Sequence, residues 1–314
     1  MAFSAPTEQY AGQIGTVTIG TGDKAVTLGG QKALAFHDFD GSATNPPRIA
    51  VEVYDTEPTD WPDALAEVYS GVWADPAAWA KFNVDELGAE MICLQLASTD
   101  PNREDASPDL AAEVAKKVAD AVDVPLIVYG SGNADKDAEV LVKVAEALSG
   151  KNVLLGPVKE DNHKTVGAAA LGFKHNVAGE SPIDVNMAKQ LNILLGNLGV
   201  KPENIMIDPS TGALGYGLEY TYTVIERDRL SALGQNDKTL QYPIIVNTGK
   251  EVWKTKETRA SAEEEPAWGD PAQRGISWEI ITATALLVAG ADVVMLRHPS
   301  SIKTTRAFID AMSA

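Results

Sequence analysis

The chain has 314 residues, 45% of them apolar and 22% charged, which is enough for a large buried core and too apolar for a disordered chain. Its 44 acidic and 26 basic residues leave a net charge of −18, which argues against a nucleic-acid partner and disfavours an anionic membrane surface. One cysteine, Cys93, excludes an intrachain disulfide and any four-thiolate zinc or iron–sulfur centre built from this chain alone.

The first residues, Met1-Ala2-Phe3-Ser4-Ala5-Pro6, carry no basic segment and no apolar run, so no signal peptide is expected. No apolar stretch reaches the roughly 18 residues of a spanning helix, and the expected location is the cytoplasm. Ile14, Val17 and Ile19 alternate with Thr16 and Thr18, a Thr21-Gly22-Asp23 turn follows, and then Ala25–Leu28. This pattern predicts a β-hairpin. With the polar connection Asp38–Pro47 it makes residues 1–47 an N-terminal extension, followed by a main body over 48–314.

In the body, short apolar runs alternate with stretches of helical period. The predicted strands are Ile49–Tyr54, Met91–Leu96, Leu126–Tyr129, Val153–Pro157, Phe173–Val177, Ile205–Asp208, Ile244–Asn247 and Val293–Leu296. They are almost continuously apolar, as strands covered on both faces of a parallel sheet must be. Between them Leu110, Val114, Val118 and Val122 step by four, as do Val140, Val144 and Leu148. Ser107-Pro108 starts one helix, and Gly88, Gly150, Gly172, Gly199 and Gly290 stand where helices end. Eight strand–helix units predict an α/β fold of the closed (β/α)8 barrel type, with a doubly wound open sheet as the rival. The hairpin is expected to plug the N-terminal end of the barrel.

Loops after the strands are longer than loops before them: Asp55–Pro76, Ala97–Ala106, Asp208–Gly217 and Thr248–Gln273. Active faces of barrels lie at these strand ends. Trp61, Trp73, Trp253 and Trp268 lie on such loops, either as a binding face for something large or folded back on the rim. His37, His163, His175 and His298 are scattered, which argues against a histidine metal site. Lys159 is the nearest candidate for a Schiff base, but a solvated loop lysine beside Glu160 and Asp161 is the expected reading. Gly130-x-Gly132 and Gly212-x-x-Gly215-x-Gly217 lack the full phosphate-loop patterns and serve as turns. The polar residues expected at the strand ends are Asp55, Ser131, Asn133, Asn176, Asp208, Asn247 and Arg297. This set suits hydrogen bonding to a heteroatom-rich ligand and is poor in nucleophile-plus-base pairs.

Two segments carry a family resemblance. Asn45-Pro46-Pro47-Arg48-Ile49-Ala50-Val51-Glu52-Val53-Tyr54-Asp55, followed by Asp60-Trp61-Pro62, is one. Asn204-Ile205-Met206-Ile207-Asp208-Pro209-Ser210-Thr211-Gly212-Ala213-Leu214-Gly215-Tyr216-Gly217 is the other. Both resemble the small (delta) subunit of the corrinoid iron–sulfur protein, the acetyl-CoA decarbonylase/synthase delta-subunit family. The resemblance implies a TIM barrel related to pterin-binding methyltransferases. It implies a heterodimer with a large subunit that carries a [4Fe–4S] cluster and a corrinoid (cobalamin) domain. The corrinoid sits between that domain and the mouth of this barrel. The resemblance further implies that methyl groups pass from methyltetrahydrofolate through a methyltransferase, or from a pterin analogue in archaea, to acetyl-CoA synthase in the reductive acetyl-CoA pathway of anaerobes. No catalytic residue and no independent turnover are expected of this chain, since the cofactor carries the hard chemistry.

On this reading the loops 97–103, 130–133 and 209–216 approach the corrin. The residues expected to bind it are Ser98, Asp100, Asn102, Gly130, Ser131, Gly132, Asn133, Asn176, Asp208, Ser210, Thr211, Gly212, Asn247 and Arg297. The Thr248–Gln273 loop, with Lys250, Lys254, Lys256 and Glu263-Glu264-Glu265, is expected to meet a partner or to be a solvated insertion. Two features depart from related families. Asp161-Asn162-His163-Lys164-Thr165-Val166-Gly167 is one residue longer than the cobalt-ligating histidine motif, so His163 is expected to end a helix. Of the four strand-end carboxylate and amide positions of folate-binding relatives, Asp208 and Asn247 match two, while the Tyr129-Gly130-Ser131 region and Gly156-Pro157 occupy the others. An autonomous pterin- or folate-dependent methyltransferase is the alternative, and an unrelated small-molecule barrel enzyme a third reading.

Overall fold

A computed structural model describes residues 6–40 and 45–313. Strands β1 (Thr16–Ile19) and β2 (Val26–Gly29) form an antiparallel hairpin, with the Thr18 and Thr27 hydroxyls paired on its exposed face at 2.9 Å. Eight parallel strands follow: β3 (Arg48–Tyr54), β4 (Met91–Gln95), β5 (Leu126–Tyr129), β6 (Leu154–Val158), β7 (Asn176–Glu180), β8 (Ile205–Asp208), β9 (Ile245–Asn247) and β10 (Val293–Leu296). Their order is β8-β7-β6-β5-β4-β3-β10-β9. A bridge from Ile207 to Ile244, with the Ile207 N–H on the Pro243 carbonyl at 2.9 Å, joins the two ends of that order into a barrel.

Helices α1 (Asp63–Tyr69), α2 (Pro76–Asp85), α3 (Pro108–Ala121), α4 (Ala134–Ala147), α5 (His163–Phe173), α6 (Val185–Leu198) and α7 (Glu219–Gly234) lie between the strands. Short helices α8 (Thr248–Val252) and α9 (Lys256–Arg259) precede α10 (Pro271–Ala289), and α11 (Pro299–Met312) ends the described chain. The expected cap at Ser107 is present, and Asn133 and Asp270 cap two further helices. The Ser107 hydroxyl accepts from Leu110 N at 3.3 Å, Asn133 from Lys136 N at 3.1 Å and Asp270 from Gln273 N at 3.0 Å. These side chains satisfy amides that have no partner within the helix.

Strand β7 begins later than the predicted run Phe173–Val177. Helix α5 runs past Gly172, the end expected from the sequence, through Phe173, and Lys174 ends it in the left-handed conformation (φ 63°). The strand therefore starts at Asn176, not Phe173. This shift puts Asn176 at the foot of the strand and Glu180 at its top.

Alternation separates two cores. Outward side chains such as Ile49, Val51 and Val53 pack beneath the helices. Inward ones, including Ala50, Met91, Cys93, Ile127, Leu154, Ala178, Met206, Ile245, Val293 and Met295, fill the barrel. Val17, Ile19 and Leu28 of the hairpin belong to that inner cluster, so the hairpin plugs the N-terminal end. No helix among the described residues is long and apolar enough to cross a membrane.

Candidate functional site

The barrel interior ends, at the C-terminal side of the strands, in a layer of polar side chains. Glu52 on β3, Gln95 on β4, Tyr129 on β5, Asp208 on β8, Asn247 on β9 and Arg297 just after β10 are all buried. They satisfy one another. The Arg297 guanidinium pairs with Glu52 and donates to the Tyr54 hydroxyl at 2.6 Å. The same guanidinium lies 4.6 Å from the Trp61 ring centre. The Asn247 side chain donates to Glu52 at 2.9 Å and to Gln95 at 3.4 Å, and its amide oxygen Oδ1 accepts the Lys250 N–H at 3.1 Å. Gln95 donates to the Gly130 carbonyl at 2.7 Å. The Tyr129 hydroxyl donates to Asp208 at 2.9 Å, and the Ser210 N–H reaches the other carboxylate oxygen at 2.9 Å. Burial, helped by the Glu180 carboxylate, raises Asp208 to about 7 against the pull of Ser210, Tyr129 and Lys250.

The loops above this layer are tied into a ring. Asp55 accepts the Ser98 N–H at 2.9 Å together with its hydroxyl, and burial raises Asp55 to about 6 despite those bonds. Asp60 bridges Arg103 at 3.1 Å and Arg259 at 3.6 Å. Lys159 pairs with Glu180 at 3.0 Å and donates to the Gly132 carbonyl at 2.7 Å. It is thus a tied rim lysine. Thr211 donates to the Asn247 carbonyl.

The 130–133 loop is held from within. Asp137, wholly buried on α4, accepts from Ser131 N at 2.8 Å, the Ser131 hydroxyl at 3.0 Å and Gly132 N at 2.9 Å. The protein's own carboxylate thus occupies the amide cluster that an anion would seek. Gly130 is required here, since a Cβ would stand 2.3 Å from an Asp137 oxygen. The remaining expected residues lie higher on the rim. Asp100 turns back to Asn102 N at 2.8 Å, and Ser210 accepts from Gly212 N at 3.2 Å.

Asn176 is at the opposite end of the barrel, and the expectation that it lines the mouth is corrected. Its amide donates to the Thr18 carbonyl of the hairpin at 3.0 Å and to Asn152 at 3.1 Å, and it accepts from Asn204 at 2.8 Å. The tryptophans mostly fold back. Trp253 is buried against His298, and Gly275 leaves the room it needs. Trp61 packs edge-on to Tyr54 and Trp79 at 5.2 and 5.3 Å, while Trp268 is exposed. His163 opens α5 and places Nδ1 on the Glu160 carbonyl. No group of three or more His, Cys, Asp or Glu among the described residues is placed to hold a metal ion.

Sequence reasoning did not single out Glu52, Gln95 or Asp137, nor Lys250 as a mouth residue. Glu52 and Gln95 interrupt otherwise apolar runs at inward positions, and that interruption is the signal that could have found them. Lys250 lies half-buried beside Asp208 with no carboxylate partner among the described residues.

Residues 16–304 match the family described as CO dehydrogenase/acetyl-CoA synthase delta subunit. The acetyl-CoA decarbonylase/synthase complex subunit delta of Methanothermobacter thermautotrophicus is 40% identical over 306 residues, covering 97% of this chain and 77% of that protein. Its counterpart from Archaeoglobus fulgidus is 37% identical, covering 96% and 68%. Among solved structures, dihydropteroate synthase of Xanthomonas albilineans with 4-aminobenzoic acid superposes with a TM-score of 0.59 at 14% identity, over 96% of this chain and all of that one. The Thermus thermophilus enzyme in complex with 6HMPPP gives 0.55 at 16%, over 94% and 99%. These two likenesses are of fold.

Proposed function

The chain belongs to the CO dehydrogenase/acetyl-CoA synthase delta subunit family, and from that premise we propose that it is the barrel subunit of a corrinoid methyl carrier. Its mouth covers a corrinoid held with a large subunit. One observation carries the reading: the polar layer at the strand ends is buried and spent on internal partners. A ligand at this face lies over the rim and not inside the barrel. A planar macrocycle presented by another subunit meets that requirement, and its amide arms need hydrogen-bonding rim groups. Asn102, the Ser210 hydroxyl and the Lys250 ammonium supply them, so the residues present fit the group. Ser98, Asp100, Gly130, Ser131, Gly132, Asn133, Thr211 and Gly212 shape the loops that carry these donors, and Asp208, Asn247 and Arg297 support them from below.

When bound, the corrinoid supplies the cobalt that carries the methyl group. This chain's residues orient the macrocycle and exclude water from one face. The barrel is the docking unit, and the β1–β2 hairpin closes its far end. The large subunit holds the [4Fe–4S] cluster, and a methyltetrahydrofolate methyltransferase and acetyl-CoA synthase are the other partners. Tyr216, 90% exposed, and Ile281, 61% exposed, border an apolar groove between the β8–α7 loop and α10. That groove gives the large subunit a contact adjoining the mouth.

The test is metal content under anaerobic conditions, for the chain alone and for the complex it forms in its native extract. A colourless lone chain, and a complex with about one cobalt and about four irons, is the expected result. A complex without cobalt overturns the reading.

A further inference from the structure

The Tyr129 side chain sits in the barrel mouth as a ligand would. Its ring lies over Gly156, where a Cβ would approach Cε2 and Cζ to 2.8 and 2.9 Å. Glycine at that point of β6 leaves a slot one aromatic ring thick. The ring's far edge carries a donor, the hydroxyl, which meets the Asp208 carboxylate at 2.9 Å. Tyr129 is 4% exposed and Asp208 3%. A buried carboxylate needs donors on its oxygens, and here the phenol and the Ser210 N–H are those donors.

We propose that Tyr129 is an internal stopper, filling a slot whose chemistry otherwise suits a flat heterocycle with an N–H donor edge. The slot offers a ring-sized gap floored by Gly156 and a carboxylate at its end. The pyrimidine ring of a 2-amino-4-oxopteridine matches both, since its ring nitrogen and amino group present N–H donors side by side to a carboxylate. With Tyr129 in place no such ring enters. The barrel then leaves methyl-donor binding to another protein. Tyr129 is thereby a specificity-determining residue, acting by exclusion. This inference stands apart from the corrinoid reading, which cobalt content tests separately.

The experiment is calorimetric titration of the full chain with pterin and with methyltetrahydrofolate. The wild-type chain is expected to bind neither at millimolar probe. Tyr129→Ala is expected to bind pterin at least a hundredfold more tightly than wild type, and the Tyr129→Ala/Asp208→Asn double variant to lose that gain. Tyr129→Phe keeps the ring and is expected to stay closed. Tyr129→Val repeats the test with a smaller cavity should alanine unfold the chain. Asp208-dependent pterin binding by the wild-type chain overturns the proposal, whether or not any variant folds. So does a folded Tyr129→Ala or Tyr129→Val chain that binds no pterin, or one whose binding survives Asp208→Asn.

Discussion

Arg297 and Glu52, 245 positions apart, form a buried ion pair across the seam where the last strand of the barrel meets the first. The Tyr54 hydroxyl and the Asn247 amide complete its hydrogen bonding. Removing one partner strands the other charge without water, whereas removing both does not. Arg297→Met is expected to cost about 3–5 kcal/mol, read from urea denaturation midpoints. The Glu52→Leu/Arg297→Met double variant is expected to cost less than Arg297→Met alone. A double variant as unstable as the sum of the two single ones would mean that the pair is not energetically coupled.

The barrel was legible because its signals are local. Eight apolar runs, helix caps and terminal glycines each sit within a few residues of what they determine. The misplaced start of β7 shows the limit: Lys174 adopts a left-handed φ that favours glycine, and nothing in its side chain announces it. The mouth was legible only in part. Asp208, Asn247 and Arg297 close apolar runs and so were visible as strand ends. Their partners Glu52, Gln95 and Tyr129 come from other strands, and only barrel closure brings them within reach. Asp137 reads as a surface charge on a helix until the fold turns it under the 130–133 loop.

That loop offers a direct check on the role of Asp137. Asp137→Ala removes the acceptor for two backbone amides and one hydroxyl. A loss of about 2 kcal/mol is expected, with faster hydrogen exchange at Ser131 and Gly132. Gly130→Ala is expected to give the same exchange pattern, because its Cβ collides with the Asp137 carboxylate. Unchanged exchange at Ser131 in both variants would show that the loop is held by something else.

Asn176 separates the two ends of the barrel. Its amide ties the foot of β7 to the hairpin through Thr18 and to Asn152. Asn176→Ala is expected to lower stability by about 1–3 kcal/mol and to leave the cobalt content of the assembled complex unchanged. A drop in cobalt at unchanged stability would return Asn176 to the cofactor-binding set.

Asp228 sets a pH dependence opposite to that of an ordinary ion-paired carboxylate. It is wholly buried on α7, and neither of its oxygens has a hydrogen-bond partner among the described residues. Burial raises it from 3.8 to about 7, against the attraction of Arg229, Lys189 and Arg227. From about pH 4 to pH 7 the folded chain therefore keeps a proton that the unfolded chain has released. The contribution of the neutral carboxyl is complete below pH 4, declines as pH rises through that window, and is replaced above pH 7 by the full cost of a buried charge. Asp228→Asn removes the titration while keeping the shape. It is expected to stabilise the chain by about 2–4 kcal/mol at pH 8 and to change little at pH 4, in urea denaturation at the two pH values. An equal gain at both would trace the effect to packing, because only ionisation makes the difference between the variants depend on pH.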